Sequence, residues 1–290
     1  MDKGLLLIYA FFSFSLGASI ASFLNVVIWR VPRGESIVSP PSHCPKCNAP
    51  IKWYQNIPIL AWLFLRGKCA TCKAPISPRY ILVETLGGVL FLAVFLHYFV
   101  FIGAPLVDPA AWILVLVCWI WLSLMIVGSM IDYDLQLLPD FVTVGGMILG
   151  LVANGFLCFV YWPLIAGKTG FLWERFLLEP VLGLAFGFGL LWLIRWIGGK
   201  VFKREAMGMG DVFLMGAVGA LFGPVAVLFV LIGSSVFGSL AGVVMIALAK
   251  ARLGRLVAIP YGPYICLACL VWMFRGPQVV NWYLNLLGFR

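Results

Sequence analysis

Long apolar runs separated by short polar breaks dominate the chain, and their lengths set its architecture. Runs near residues 5–28, 80–102, 110–131, 141–163, 177–198, 225–249 and 257–274 approach or exceed the ~20 residues that an α-helix needs to cross ~30 Å of hydrocarbon. A shorter run at 212–223 is split from its successor at Gly223-Pro224, where proline removes a helical hydrogen bond. The pattern predicts an all-α polytopic membrane protein of about eight transmembrane helices. Residues 30–79 are the only long polar stretch, rich in Pro, Lys and Cys, and read as a small loop domain between the first two spans. The predicted organisation is a first transmembrane helix over 1–29, the loop domain over 30–79, transmembrane helices 2–3 over 80–131 and a second membrane domain over 132–290, with helices 4–8.

Composition agrees. Hydrophobic residues make up 63% of the 290 positions and charged ones 11%, against roughly 45–50% apolar content in soluble domains. Lys and Arg then fix orientation, because they gather in cytoplasmic loops. Counting loops alternately, fifteen basic residues fall on the side of the 30–79 loop and five on the other, which places that loop in the cytoplasm. The net charge of +9 is thereby explained by topology, and no nucleic-acid partner is implied. Small residues at Ser19-Ile20-Ala21 offer a signal-peptidase pattern, but cleavage there would put the basic loop outside, so the first helix is read as retained.

Two Cys-x-x-Cys turns stand in the loop domain, Cys44-Pro45-Lys46-Cys47 and Cys69-Ala70-Thr71-Cys72. Each points two thiolates at one point, and together they supply four soft ligands for tetrahedral Zn²⁺. The 21 residues between them slightly exceed the usual 15–20. Two disulfides are the alternative, disfavoured in a reducing compartment. A closed four-thiolate site has no open position, so its metal would be structural. Cys266 and Cys269, inside a span, together with Cys118 and Cys158, read as packing, since free cysteine behaves as a small hydrophobe.

Carboxylates at the edge of a bilayer are costly and need a reason. One group, Asp132, Asp134 and Asp140, lies within nine residues between two apolar runs, and Asp211 ends Gly208-Met209-Gly210-Asp211 before another. Two aspartates can hydrolyse a peptide without metal or nucleophilic side chain: one takes a proton from water while the other gives one to the carbonyl oxygen. Gly208 and Gly210 would let the backbone approach another chain closely. Helix capping by Asp211 and Asp140 is the simpler alternative, and both can hold together. Small residues at fourfold spacing, Gly183 and Gly187 or Ser234, Gly238 and Gly242, suit close helix packing in lipid.

In this order the elements resemble the type IV prepilin peptidases, the bacterial branch of the Gly-x-Gly-Asp membrane aspartyl proteases. Ser22 to Pro32 is similar to that family's N-terminal signature, the paired Cys-x-x-Cys to its cytoplasmic zinc domain, Asp132 through Pro139-Asp140 and Gly208 to Asp211 to its two catalytic motifs, and Pro260-Tyr261-Gly262-Pro263-Tyr264 to its C-terminal signature. The resemblance implies Asp132 and Asp211 as the catalytic pair, selecting Asp132 over Asp134 and Asp140. Gly208, Gly210, Pro139 and Asp140 would support them, and Cys44, Cys47, Cys69 and Cys72 would hold zinc. It implies cleavage of pilin or pseudopilin precursors after a leader Gly at the cytoplasmic face of the bacterial inner membrane, followed by N-methylation with S-adenosylmethionine. Members often carry Lys two residues after the second aspartate, where this chain has Phe213. No Gly-x-Gly-x-x-Gly fingerprint marks a cofactor site, and Glu84, an otherwise costly acid near the loop domain, is the candidate for one. A carboxylate paired with Arg79 is the alternative there. The rival functions are a non-enzymatic secretion scaffold built around the zinc loop and a proton-coupled transporter, for which no chain of polar residues crosses the spans.

Overall fold

The computed structural model describes residues 3–165, 177–203, 207–248 and 260–288. Seven of the basic residues used for orientation, Lys168, Arg175, Arg204, Lys250, Arg252, Arg255 and Arg290, lie outside them, as does the start of the run at 257. Regular structure among the described residues is helical: α1 Lys3–Arg30, α2 Leu60–Phe64, α3 Arg79–Leu96, α4 Pro109–Leu135, α5 Asp140–Ile165, α6 Glu179–Phe202, α7 Met209–Phe222, α8 Pro224–Leu248 and α9 Gly262–Leu286. Seven of these are long and apolar enough to span a bilayer. The eighth expected crossing, α7, has 14 residues, about 21 Å at 1.5 Å per residue, and falls short of the hydrocarbon thickness. The predicted break holds: Gly223 takes φ +82° and Pro224 opens α8. The last helix starts later and runs further than 257–274, because Pro277 is accommodated inside it and apolar residues such as Val279 and Trp282 continue beyond.

The chain divides into two compact units, Met1–Val127 and Gly128–Arg290. In the first, α1 and α3 meet at Gly17 and Gly87, where a Cβ on Gly17 would stand 2.6 Å from the Gly87 carbonyl. Close approach of small residues substitutes in lipid for the hydrophobic drive available in water. Trp119 of α4 stacks on Phe91 of α3 at 5.0 Å and donates its indole N–H to the Phe91 carbonyl, satisfying a polar group that lipid could not. At 28 residues, α1 is about 42 Å long, more than the hydrocarbon requires, and polar contacts gather at its C-terminal end. There Asn25 donates to the Tyr80 carbonyl and Arg30 to that of Ser36.

The second unit is built on α7. Gly183 and Gly187 of α6 face Gly219 and Met215 of α7 backbone to backbone, with no room for a Cβ. On the other side Gly150 of α5 touches Ala220, and Asn154 of α5 donates to the Ala220 and Leu221 carbonyls at the end of α7. Those carbonyls are among the four that a helix end leaves unpaired. A helix too short to span is thus gripped on two sides, which fixes the height of its first turn.

Candidate aspartate site and cysteine cluster

Asp132 sits in the last turn of α4 and is buried. Its Oδ2 accepts the backbone N–H of Gly262 at 2.9 Å. Gly262 is the first residue of α9, so this N–H is one of those a helix start leaves without an internal partner, and the helix dipole favours an anion there. A Cβ on Gly262 would lie 2.7 Å from the same oxygen. The start of α9 is itself anchored: the Tyr261 hydroxyl and the buried Ser234 hydroxyl of α8 are 2.6 Å apart.

Asp211 stands in the first turn of α7, one tenth exposed. The N-cap is Gly208, so Asp211 does not fill the capping position. Its Oδ1 is buried and has no hydrogen-bond partner, an arrangement that costs about 1–3 kcal/mol, more for a charged group, and calls for a reason. The field of Asp132 reaches Asp211, so the two carboxylates share one neighbourhood. Gly210 explains how: a Cβ on it would lie 2.8 Å from Leu138 Cβ. The glycine therefore lets the start of α7 close onto the segment that follows Asp132. The space is taken by the protein's own Leu138. Arg195 of α6 donates to the Met207 carbonyl and steadies the approach to Gly208.

Pro139 accepts the Val142 N–H through its carbonyl and opens α5, whose first residue, Asp140, is exposed, as is Asp134. Asp132 and Asp211 are the two acids of the motifs that are buried together. Phe213 packs on Phe188 of α6 at 5.5 Å, so the position where Lys is often found here faces an aromatic helix contact. Sequence reasoning missed Gly262 as a site residue. The Gly-Pro pair at 262–263, which suits a helix start, was the available signal.

In the first unit the sulfurs of Cys44, Cys47, Cys69 and Cys72 lie within 4.8 Å of one another, Cys44 and Cys72 at 3.8 Å. Four thiolates at 2.3 Å from a tetrahedral zinc stand about 3.8 Å apart, so the set fits that ion. The two turns are built alike: Asn48 and Lys73 take positive φ, Cys44 and Cys69 donate to the Ala49 and Ala74 carbonyls, and His43 pairs with Pro50 as Lys68 does with Pro75. Backbone N–H groups of Cys72 and Thr71 pull the Cys69 thiol down to about 6, and those of Lys46 and Cys47 lower Cys44, which favours the thiolate a metal needs. His43 Nδ1 lies 3.1 Å from the Pro41 carbonyl and is not in the cluster.

Glu84 is buried in α3, and its Oε2 accepts the Ile59 N–H at 2.7 Å. Ile59 has φ +63° and ψ −54°, with Leu60 donating to the Pro58 carbonyl at 2.6 Å. This is a γ-turn of the rare, strained hand on a β-branched residue. One oxygen of the carboxylate holds that turn.

Two family profiles cover most of the chain: the bacterial peptidase A24 N-terminal domain over residues 15–98 and the type IV leader peptidase family over 119–243. The chain is 33% identical to a prepilin leader peptidase/N-methyltransferase of Aeromonas hydrophila, across 98% of this chain and 97% of that protein. It is 39% identical to one of Myxococcus xanthus over 85% of this chain and 66% of the relative. A type 4 prepilin-like proteins leader peptide-processing enzyme of Escherichia coli is 36% identical over 87% and 88%. No solved structure matches the chain.

Proposed function

We propose, from the premise that this chain belongs to the type IV leader peptidase family, that Asp132 and Asp211 form the dyad that removes the leader of type IV prepilins. The protein is a prepilin leader peptidase/N-methyltransferase by that kinship, and its substrates are prepilin-like proteins cut after a leader Gly at the cytoplasmic face of the inner membrane. The observation that carries the dyad is the buried, partnerless Oδ1 of Asp211 beside Asp132.

The chemistry follows from what each carboxylate touches. Asp132, with Oδ2 held by a helix-start N–H, is fitted to take a proton from the attacking water. Asp211 is fitted to hold the shared proton and donate it to the scissile carbonyl oxygen through its free Oδ1. As the tetrahedral intermediate collapses, Asp132 gives its proton to the leaving amine while Asp211 takes one back from the gem-diol hydroxyl, which re-forms the carbonyl and restores the shared proton. The burial of both excludes competing water and strengthens each hydrogen bond to the peptide.

Zinc, held by Cys44, Cys47, Cys69 and Cys72, supplies folding energy to the loop domain. S-adenosylmethionine supplies the methyl group for the new terminal amine. Its carboxylate needs a cation, and the buried Arg30, which pairs with no carboxylate among the described residues, is one. The test is co-reconstitution with a prepilin and intact-mass analysis of the pilin: the leader mass should disappear and one methyl be gained when the donor is present. An unaltered precursor would sink the reading.

A further inference from the structure

Neither the aspartates nor the cysteines use a cavity of about 360 Å³ in the first unit. It lies along the C-terminal part of α1, from Ser19 to Arg30, where the polar segment folds back on the helix. Phe23 and Arg30, seven residues apart and so on one face of α1, form one wall, and Val38, Pro41, Asn56 and Pro58 stand in the other. Its size falls within the 300–1,000 Å³ of small-molecule sites, which are mostly apolar with a few placed polar groups. Arg30 is the charged one among several polar lining groups: buried at 9% exposure, it has one side-chain hydrogen bond, to the Ser36 carbonyl, and no carboxylate partner among the described residues. A planar guanidinium with unused donors is built for bidentate capture of a carboxylate.

We propose that this cavity binds S-adenosylmethionine, with Arg30 holding the amino-acid carboxylate and the Phe23 and proline faces receiving the nucleoside. The inference rests on the reading of the chain as an N-methyltransferase and gives that activity a location. Two features beyond charge and size support it. A terminal amine produced just before an apolar helix emerges at the bilayer surface, and Arg30 closes the first span at the start of the polar loop domain. In addition, the Pro58 wall is held by the strained Ile59 turn whose N–H is fixed by Glu84. Strain of this kind persists only where surrounding structure enforces it, so Glu84 is a positioning residue that shapes the wall from behind.

The test is equilibrium binding of labelled S-adenosylmethionine to the full chain in nanodiscs of zwitterionic lipid, with prepilin cleavage measured on the same samples. Arg30→Gln should raise Kd at least tenfold. Decarboxylated S-adenosylmethionine, which lacks the group that Arg30 holds, should bind the native protein more weakly and be indifferent to Arg30→Gln. Val38 is 85% exposed, so Val38→Trp obstructs the mouth without disturbing the core; it should abolish binding while cleavage stays within twofold. Donor binding and methylation untouched by both substitutions would overturn the location and leave the methyltransferase reading standing. A native protein that cleaves but neither binds the donor nor methylates would overturn that reading, and the inference with it.

Discussion

Replacing Gly262 by alanine adds one methyl group at the point where α9 meets Asp132. The new Cβ would stand 2.7 Å from Oδ2 and 3.2 Å from Cγ, and must retreat by about 0.7 Å to reach ordinary van der Waals contact. Moving the helix start that far stretches the 2.9 Å N–H···O bond to roughly 3.6 Å, past the limit of a hydrogen bond. A hydrogen bond to a charged group contributes about 1.5–3 kcal/mol, so kcat for leader removal should fall on the order of ten- to hundredfold. The helix preference for alanine over glycine, roughly 1 kcal/mol, offsets part of the stability lost with that bond, so the variant should still fold. The assay is single-turnover cleavage of a reconstituted prepilin by intact mass, with thermal unfolding alongside. Gly238→Ala is the control, because its Cβ would meet Tyr264 at an ordinary 3.5 Å. Cleavage by Gly262→Ala within twofold of native, with folding intact, would refute the claim that this N–H sets the Asp132 carboxylate.

Gly210→Ala should also slow cleavage, since its Cβ meets Leu138 Cβ at 2.8 Å; adding Leu138→Gly, which removes that Cβ, should recover part of the rate, and additivity of the two losses would contradict the contact. Glu84→Ala should lower unfolding free energy by roughly 1–3 kcal/mol, and Ile59→Gly in that background should regain some of it, because glycine accepts a positive φ without strain; a further loss would disprove the strained turn. Purified protein should carry one zinc per chain by elemental analysis, reduced by Cys69→Ser. Without metal, the stability contributed by the Cys69 thiolate should be full above the ordinary thiol value of 9.0 and vanish as pH falls through about 6; loss of stability on raising the pH across that window would have the wrong sign.

Much of the molecule is legible in its sequence because lipid imposes simple rules. Apolar run length, the Gly223-Pro224 break and the cysteine spacing each express one local constraint, and the helices and the four-sulfur cluster follow them. What run length cannot express is how a 14-residue helix is supported, since that depends on Gly150, Gly183 and Gly219 meeting backbones far away in the chain. The same limit applies at the sites. The acids announce themselves by their cost in a membrane, whereas Gly262 acts through a contact 130 residues from Asp132. Glu84 drew notice as a costly acid, but its use is visible only in the φ of Ile59. The matching Ala-Pro pairs after Cys47 and Cys72 were a readable sign that the two knuckles are one design repeated.

The central claim is that two aspartates share the chemistry, and the measurement that meets it most directly is leader removal by Asp132→Asn and by Asp211→Asn, each reconstituted with prepilin and checked for native unfolding behaviour. Either substitution keeps the shape of the side chain and removes the acid, so each alone should reduce cleavage to background while zinc content and donor binding in the first unit stay at native levels. Cleavage surviving either change in a folded protein would contradict the dyad.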